Sequence, residues 1–133
     1  MSITALFKKL GAPLKNQVWS WGAVSEGGDL YLRVWQDEFR KFDGKQTVRV
    51  THHRAFENDP ENLGYKERLE HVDKIRLGAK SFCVLCLAKD VNGHPREIKD
   101  FDAKMIRVGG ELIQDGEDYW LEIVGTKKVV RHG

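Results

Sequence analysis

Three of the four tryptophans, Trp19, Trp21 and Trp35, lie within seventeen residues, on either side of a Gly27-Gly28-Asp29 turn signal. That spacing predicts a hairpin over roughly 17–24 and 29–36, because a glycine-rich turn between alternating segments brings two strands together. Side chains alternate along a strand. On the first strand, alternation puts Trp19 and Trp21 on one face and Ser20 and Gly22 on the other. On the second, Tyr31, Arg33 and Trp35 oppose Leu30, Leu32 and Val34. Leucine and valine claim a core more strongly than a face carrying Arg33, so Trp35 is expected to be at least partly accessible.

With 133 residues and 15.3 kDa, the chain suits a single globular domain with one core. A short basic tail is expected from about 127 to 133. The formal charge of +2 permits an anionic partner without the strong basic bias of a dedicated duplex binder. No apolar run has the length of a membrane helix, and Met1–Leu10 lacks the apolar core and cleavage site of a signal peptide. A cytoplasmic protein with no membrane partner is the expectation. Cys83 and Cys86, inside an apolar run, fit buried thiols in a reducing compartment.

Ser2 caps a short predicted helix whose stripe is Ile3, Leu6, Phe7 and Leu10, stopped by Gly11 and Pro13. Asp43-Gly44 marks a turn, and Thr47 to His53 alternates as a third strand leading into a polar loop, Arg54 to Asn62. A second helix is expected over about 60–77, capped by Asp59, with Tyr65, Leu69, Val72 and Ile75 or Arg76 on its repeat and Gly78 at its end. Ser81–Ala88 is nearly continuous in apolar residues and predicts a central strand covered on both faces. Beyond it lie a segment at Ile98, strands at Met105–Val108 and Glu111–Gln114 parted by a Gly109-Gly110 turn, an Asp115-Gly116 turn, and a strand at Tyr119–Val124. Short strands with glycine turns and two helices predict an α+β domain with a curved, barrel-like, mostly antiparallel sheet.

The residues that invite a function surround the hairpin. Aromatic faces hold a flat heterocycle while amide, hydroxyl and carboxylate groups read its edge. Trp19, Ser20, Trp21, Trp35, Gln36 and Asp37 form the candidate base-binding set, and Arg33, Arg49, His53 and Arg54 the candidate phosphate contacts. Neighbouring histidines on a strand face opposite ways, and the thiols of Cys83 and Cys86 likewise, so no metal site and no cofactor is expected. Two other readings stand beside a binding module. Glu97-Ile98-Lys99 and Asp102-Ala103-Lys104 match the acid-x-lysine half of a metal-dependent phosphodiesterase or nuclease. A protein-interaction domain with purely structural tryptophans is the third. The balance leans away from an enzyme, because no nucleophile elbow or phosphate-cradling glycine loop is present.

The segments L-G-A-P-L-K-N (10–16), W-S-W-G-A (19–23), R-V-W-Q-D-E (33–38), G-Y-K-E-R-L-E-H-V-D-K-I-R (64–76) and D-Y-W-L-E (118–122) resemble a family of small uncharacterised bacterial proteins. More loosely, an aromatic hairpin, a polar loop and a helix over a curved sheet is similar to the PUA-like group, which includes the EVE, ASCH and SRA-type readers of modified bases. That resemblance implies a PUA-like fold with a pocket for a flipped or modified base. DNA or RNA is then the expected partner of a non-catalytic nucleic-acid-binding module.

Overall fold

The computed structural model describes residues 1–93 and 96–129. An eight-stranded sheet runs through β1 (Gly22–Val24), β2 (Leu30–Trp35), β3 (Phe39–Phe42), β4 (Lys45–Arg49), β5 (Ser81–Ala88), β6 (Ile98–Phe101), β7 (Met105–Asp115) and β8 (Asp118–Lys128). Its order is β1-β2-β5-β7-β8-β4-β3, with β6 also paired to β5. Every pairing is antiparallel except β2 with β5. The architecture is α+β and mostly antiparallel, as expected, but the sheet does not close into a barrel. None of the helices described is long and apolar enough to cross a membrane.

Both faces of the sheet are covered. On one, α1 (Ile3–Lys9) packs Leu6 and Phe7, with Leu10 just beyond its end, against Tyr31, Phe82, Val84, Cys86 and Ile106. Its cap is as expected, with the Ser2 hydroxyl accepting from the Ala5 N–H at 3.0 Å. On the concave face, α3 (Leu63–Arg76) sets Val72 and Ile75 against Leu30, Leu32, Val34, Val48, Val50, Cys83 and Leu121. Both faces of β2 are therefore core, and half-buried Trp35 packs against the α1 side. β5 matches the expected central strand at both ends.

Several expectations are corrected. The first hairpin strand is only Gly22–Val24, because Gln17–Trp19 form a turn in which the Asn16 Oδ1 accepts from the Val18 and Trp19 N–H groups. Strict alternation therefore does not govern Trp19 and Trp21. A third α-helix, α2 (His53–Phe56), starts where the third strand was expected to end and takes up part of the polar loop. Its entry is held by Asp118, whose Oδ1 accepts from the His53 N–H at 2.7 Å and the Thr51 hydroxyl at 3.0 Å. Gly109-Gly110 is not a turn, since β7 runs through it. Lys127 and Lys128 belong to β8, and residues 130–133 of the expected tail lie outside the described residues.

The cap of α3 is Asn62, not Asp59, with its Oδ1 accepting from the Tyr65 N–H at 3.0 Å. The inward face also differs from the apolar repeat. Gly64, Glu67, Arg68 and His71 are buried with Val72 and Ile75, while Leu69 is 44% exposed. Arg68 explains the rotation. Its Nη1 donates to the Val50 carbonyl at 3.0 Å, and its Nη2 to the carbonyls of Trp21 at 3.0 Å and Arg33 at 2.7 Å. One guanidinium thus ties the paired β1 and β2, at Trp21 and Arg33, to the exit of β4, which no ladder joins to them. Burial lowers Arg68 to about 10, which leaves it charged at neutral pH. Gly64 lets the helix approach, because a Cβ there would lie 2.4 Å from the Trp21 ring and 2.7 Å from the Trp19 carbonyl.

Two measurements test this arrangement. Arg68→Met should remove the three hydrogen bonds that hold β4 to β1 and β2 and lower unfolding free energy by about 3 kcal/mol or more, read as a lower urea midpoint. An unchanged midpoint would show that the clamp is dispensable. His71, buried on the same face, is pushed down to about 4 by burial and by the nearby Arg68 and Lys74 charges. The unfolded chain takes up that proton from about pH 6.5 downward and the folded chain only near pH 4. Stability should therefore fall by about 3 kcal/mol as pH drops through that window. This component of the slope should vanish in His71→Phe.

Candidate functional site

The β7–β8 hairpin carries two register breaks that shape the concave face. Arg107 pairs with Thr126 and Val108 with Gly125, but Gly109 pairs with Ile123, so Val124 is an extra residue in β8. Between Gly109 and Leu112 the surplus lies in β7, since Leu112 pairs with Leu121. Bulges of this kind bend a strand and change which side chains point to each face. Gly109 is required by close approach: a Cβ would lie 2.1 Å from the Ser81 Oγ and 2.9 Å from Leu121. Before the β8 bulge, Tyr119, Leu121 and Ile123 face the α3 core. After it, Thr126 and Lys128 share the concave face with Arg107, while Lys127 turns outward over the Phe82 ring.

An open groove of about 630 Å³ lies at this point. Leu85 and Ile123 give it an apolar floor, Phe39 an aromatic wall, and Gln36 and Gln46 two carboxamides, with the Val124–Thr126 bulge on the far side. A smaller hollow of about 210 Å³ adjoins it across Gln36 and Leu85, bounded by Leu87, Asp100, Phe101 and Asp102. Arg107 is fixed in the groove by Asp102, whose Oδ2 accepts from Nη1 at 2.8 Å. The other Asp102 oxygen accepts from the Lys104 and Met105 N–H groups, both at 3.0 Å. Burial raises the Asp102 carboxyl, but the Arg107 and backbone donors outweigh it and hold the group below its ordinary value. Carboxamides beside an apolar floor can offer paired donors and acceptors to the edge of a flat ligand.

Of the expected base-binding residues, only Gln36 lines this groove. It opens a 3-10 turn, Gln36–Glu38, at the end of β2. Asp37 is held in a two-pronged pair by Arg96, at 2.7 and 2.9 Å, and the same guanidinium lies 5.4 Å from the centre of the Trp35 ring. Ser20 is buried, donating to Glu67 Oε2 at 3.1 Å. Trp21 packs with Phe56 and Tyr65, at centroid distances of 5.1 and 6.2 Å, and Trp19 is half-buried in its turn. The expected phosphate contacts sit on three separate elements. Arg33 is on the α1 side of β2, Arg49 on β4 lies 4.9 Å from the Trp120 ring and 3.6 Å from Glu38, and His53 and Arg54 are on α2. His53 Nε2 lies 2.9 Å from Glu117.

Glu38, flanked by Arg49 and Arg96 at 3.6 and 3.7 Å, is raised by burial against the pull of both guanidiniums. Among the described residues no group of histidine, cysteine or carboxylate side chains is placed to hold a metal ion. Of the acid-x-lysine residues, Glu97 pairs with Lys89 at 3.4 Å and Asp102 is engaged as above. Phe39, Gln46, Leu85, Arg107, Ile123 and Thr126 were not singled out by sequence reasoning. A glycine pair inside an otherwise strand-like run, Met105–Asp115, was the signal that could have marked the bulge.

No family model, no curated protein and no solved structure matches the chain.

Burial pushes the thiols of Cys83 and Cys86 up to about 12 and about 11. Both should resist a thiol-specific chromogenic reagent at pH 8 in the folded protein and react fully in urea. Rapid modification without denaturant would contradict their burial.

Proposed function

We propose that this protein is a non-catalytic nucleic-acid-binding module that takes a single-stranded or flipped base into the concave groove, in keeping with the PUA-like resemblance. The observation that carries the reading is the pair of carboxamides, Gln36 and Gln46, set with the Phe39 ring around the Leu85 and Ile123 floor. A base presents a flat apolar face and a polar edge, and each has a counterpart here. Stacking on an aromatic side chain is worth about 1–3 kcal/mol per base and is largely sequence-tolerant. Discrimination then falls to the carboxamides, which give and accept hydrogen bonds in one plane. This differs from an aromatic cage: the tryptophans support the sheet and its loops, and the groove uses one phenylalanine. The near-neutral charge suits engagement of a short strand more than tracking along a duplex.

The test is fluorescence anisotropy with short labelled single strands that differ at one modified or unmodified base. Wild-type protein should discriminate between them, and Gln36→Ala with Gln46→Ala should flatten the preference by about 1–3 kcal/mol. Both side chains are exposed, so the fold should be retained. Absence of binding to every strand at low salt would sink the reading.

A further inference from the structure

We infer that Arg107 reads the base in the groove and selects guanine, taking its O6 and N7 on the free edge of the guanidinium. This rests on the groove reading above and names the base that reading leaves open. β7 sets Arg107 opposite Cys83 of β5 and Thr126 of β8, on the side of the sheet that carries Leu85 and Ile123. Its guanidinium is held from one side only. Nη1 donates to Asp102 Oδ2 at 2.8 Å and to the Met105 carbonyl at 3.4 Å. Asp102 is itself seated against the groove floor, since its N–H donates to the Leu85 carbonyl at 2.9 Å and its other oxygen accepts from the Lys104 and Met105 N–H groups. Nε and Nη2 of Arg107 take no acceptor among the described residues. The Nε atoms of Arg33, Arg49 and Arg68 are buried without a partner, whereas Nε and Nη2 of Arg107 are not shut in.

Nε–H and an Nη2–H are parallel donors in one plane, a fork that fits two acceptors side by side. A phosphate and the O6/N7 edge of guanine both offer such a pair. Charge separates the two. Among the described residues that line the groove, Arg107 alone is charged, and Asp102 already balances it. A phosphodiester brings a full negative charge and is best met by an unpaired cation, whereas guanine is neutral and needs only donors in fixed directions. Shape agrees, because the Leu85 and Ile123 floor and the Phe39 ring offer apolar surface that a flat purine covers and a phosphate does not. Adenine fails at the same edge, where its N6 amino group would set a donor against a donor. Thymine presents a single acceptor beside a methyl group, and cytosine an amino donor. In a single strand this edge of the base is free to be read.

Replacing guanine by 7-deazaguanine removes N7 and leaves O6 and every phosphate in place, which makes the test sharp. Anisotropy is measured at low salt with labelled thymine strands that carry one guanine, 7-deazaguanine or adenine, for wild type, Arg107→Lys, and Gln36→Ala with Gln46→Ala. Wild type should bind the guanine strand about tenfold more tightly than either of the others. Arg107→Lys keeps the charge that balances Asp102 but loses the fork, so it should bind all three alike, near the weaker wild-type affinity. A phosphate contact at Arg107 would instead leave guanine and 7-deazaguanine equal in wild type, and that result overturns the inference. So does a guanine preference that survives in Arg107→Lys with a native thermal melt. If the lysine variant does not fold, the wild-type comparison of guanine with 7-deazaguanine decides. Equal binding of those two strands, with another base preference lost in the glutamine variant, overturns guanine selection and leaves the groove reading standing. A guanine preference lost in Arg107→Lys but kept in full by the glutamine variant supports Arg107 and removes the carboxamides from the reading. No binding by wild type overturns both.

Discussion

The Arg68 guanidinium is the interaction on which the rest of the structure depends. A sheet curled around one helix but not closed leaves strand ends facing each other without a ladder, and their carbonyls need donors. A guanidinium carries five N–H donors in a rigid plane, and here two of its nitrogens serve three carbonyls from Trp21, Arg33 and Val50. Its burial is costly, as its lowered pKa shows, and that cost is offset by the three charge-assisted hydrogen bonds it donates. The same bonds dictate which face of α3 turns inward. Glu67 follows Arg68 into the interior and holds Ser20, so the turn carrying Trp19 is anchored by the same helix.

Once the sheet is held in this curl, the β7–β8 hairpin decides what the concave face offers. A strand's side chains have a period of two, so one added residue exchanges the faces of all that follow. Val124 does this in β8, and the second irregularity, at Gly109 to Leu112, lets the strands resume pairing through Leu121. The hollow opens where the ladder is interrupted, lined by the bulge itself. The tryptophans, in contrast, stiffen the frame. Trp120 lies under the Arg40 and Arg49 guanidiniums, Trp21 meets the start of α3, and Trp35 joins the α1 core while Arg96 covers its other side.

Legibility followed the range of the signals. α1 and its Ser2 cap, β5, the Asp43-Gly44 turn and the Asp115-Gly116 turn were readable because the determining residues lie within a few positions of one another. The buried face of α3 was not, since its repeat was counted from apolar residues while the carbonyls that bind Arg68 come from positions 18 to 47 residues away. The groove was harder still. Gln36 was recognised for its place beside Trp35, but Gln46, Leu85 and Arg107 become neighbours only through the β4–β8–β7–β5 order. Asp37 and Ser20 looked available because their partners, Arg96 and Glu67, are 59 and 47 residues distant.

By itself the sequence determined the elements whose stability is local: a capped helix, an apolar central strand, and tight turns where Asp43 and Gly44 take positive φ. It also determined that β2 would have two faces of different chemistry, leucine and valine against tyrosine, arginine and tryptophan. Only the tertiary structure decided that both faces are buried, that Arg68 replaces a missing ladder, and that Val124 hands the concave face to Thr126 and Lys128. The physical reason is that hydrogen-bond partners and strand register are relations between distant residues, and no local pattern encodes which carbonyl a buried guanidinium will meet or where a ladder slips by one.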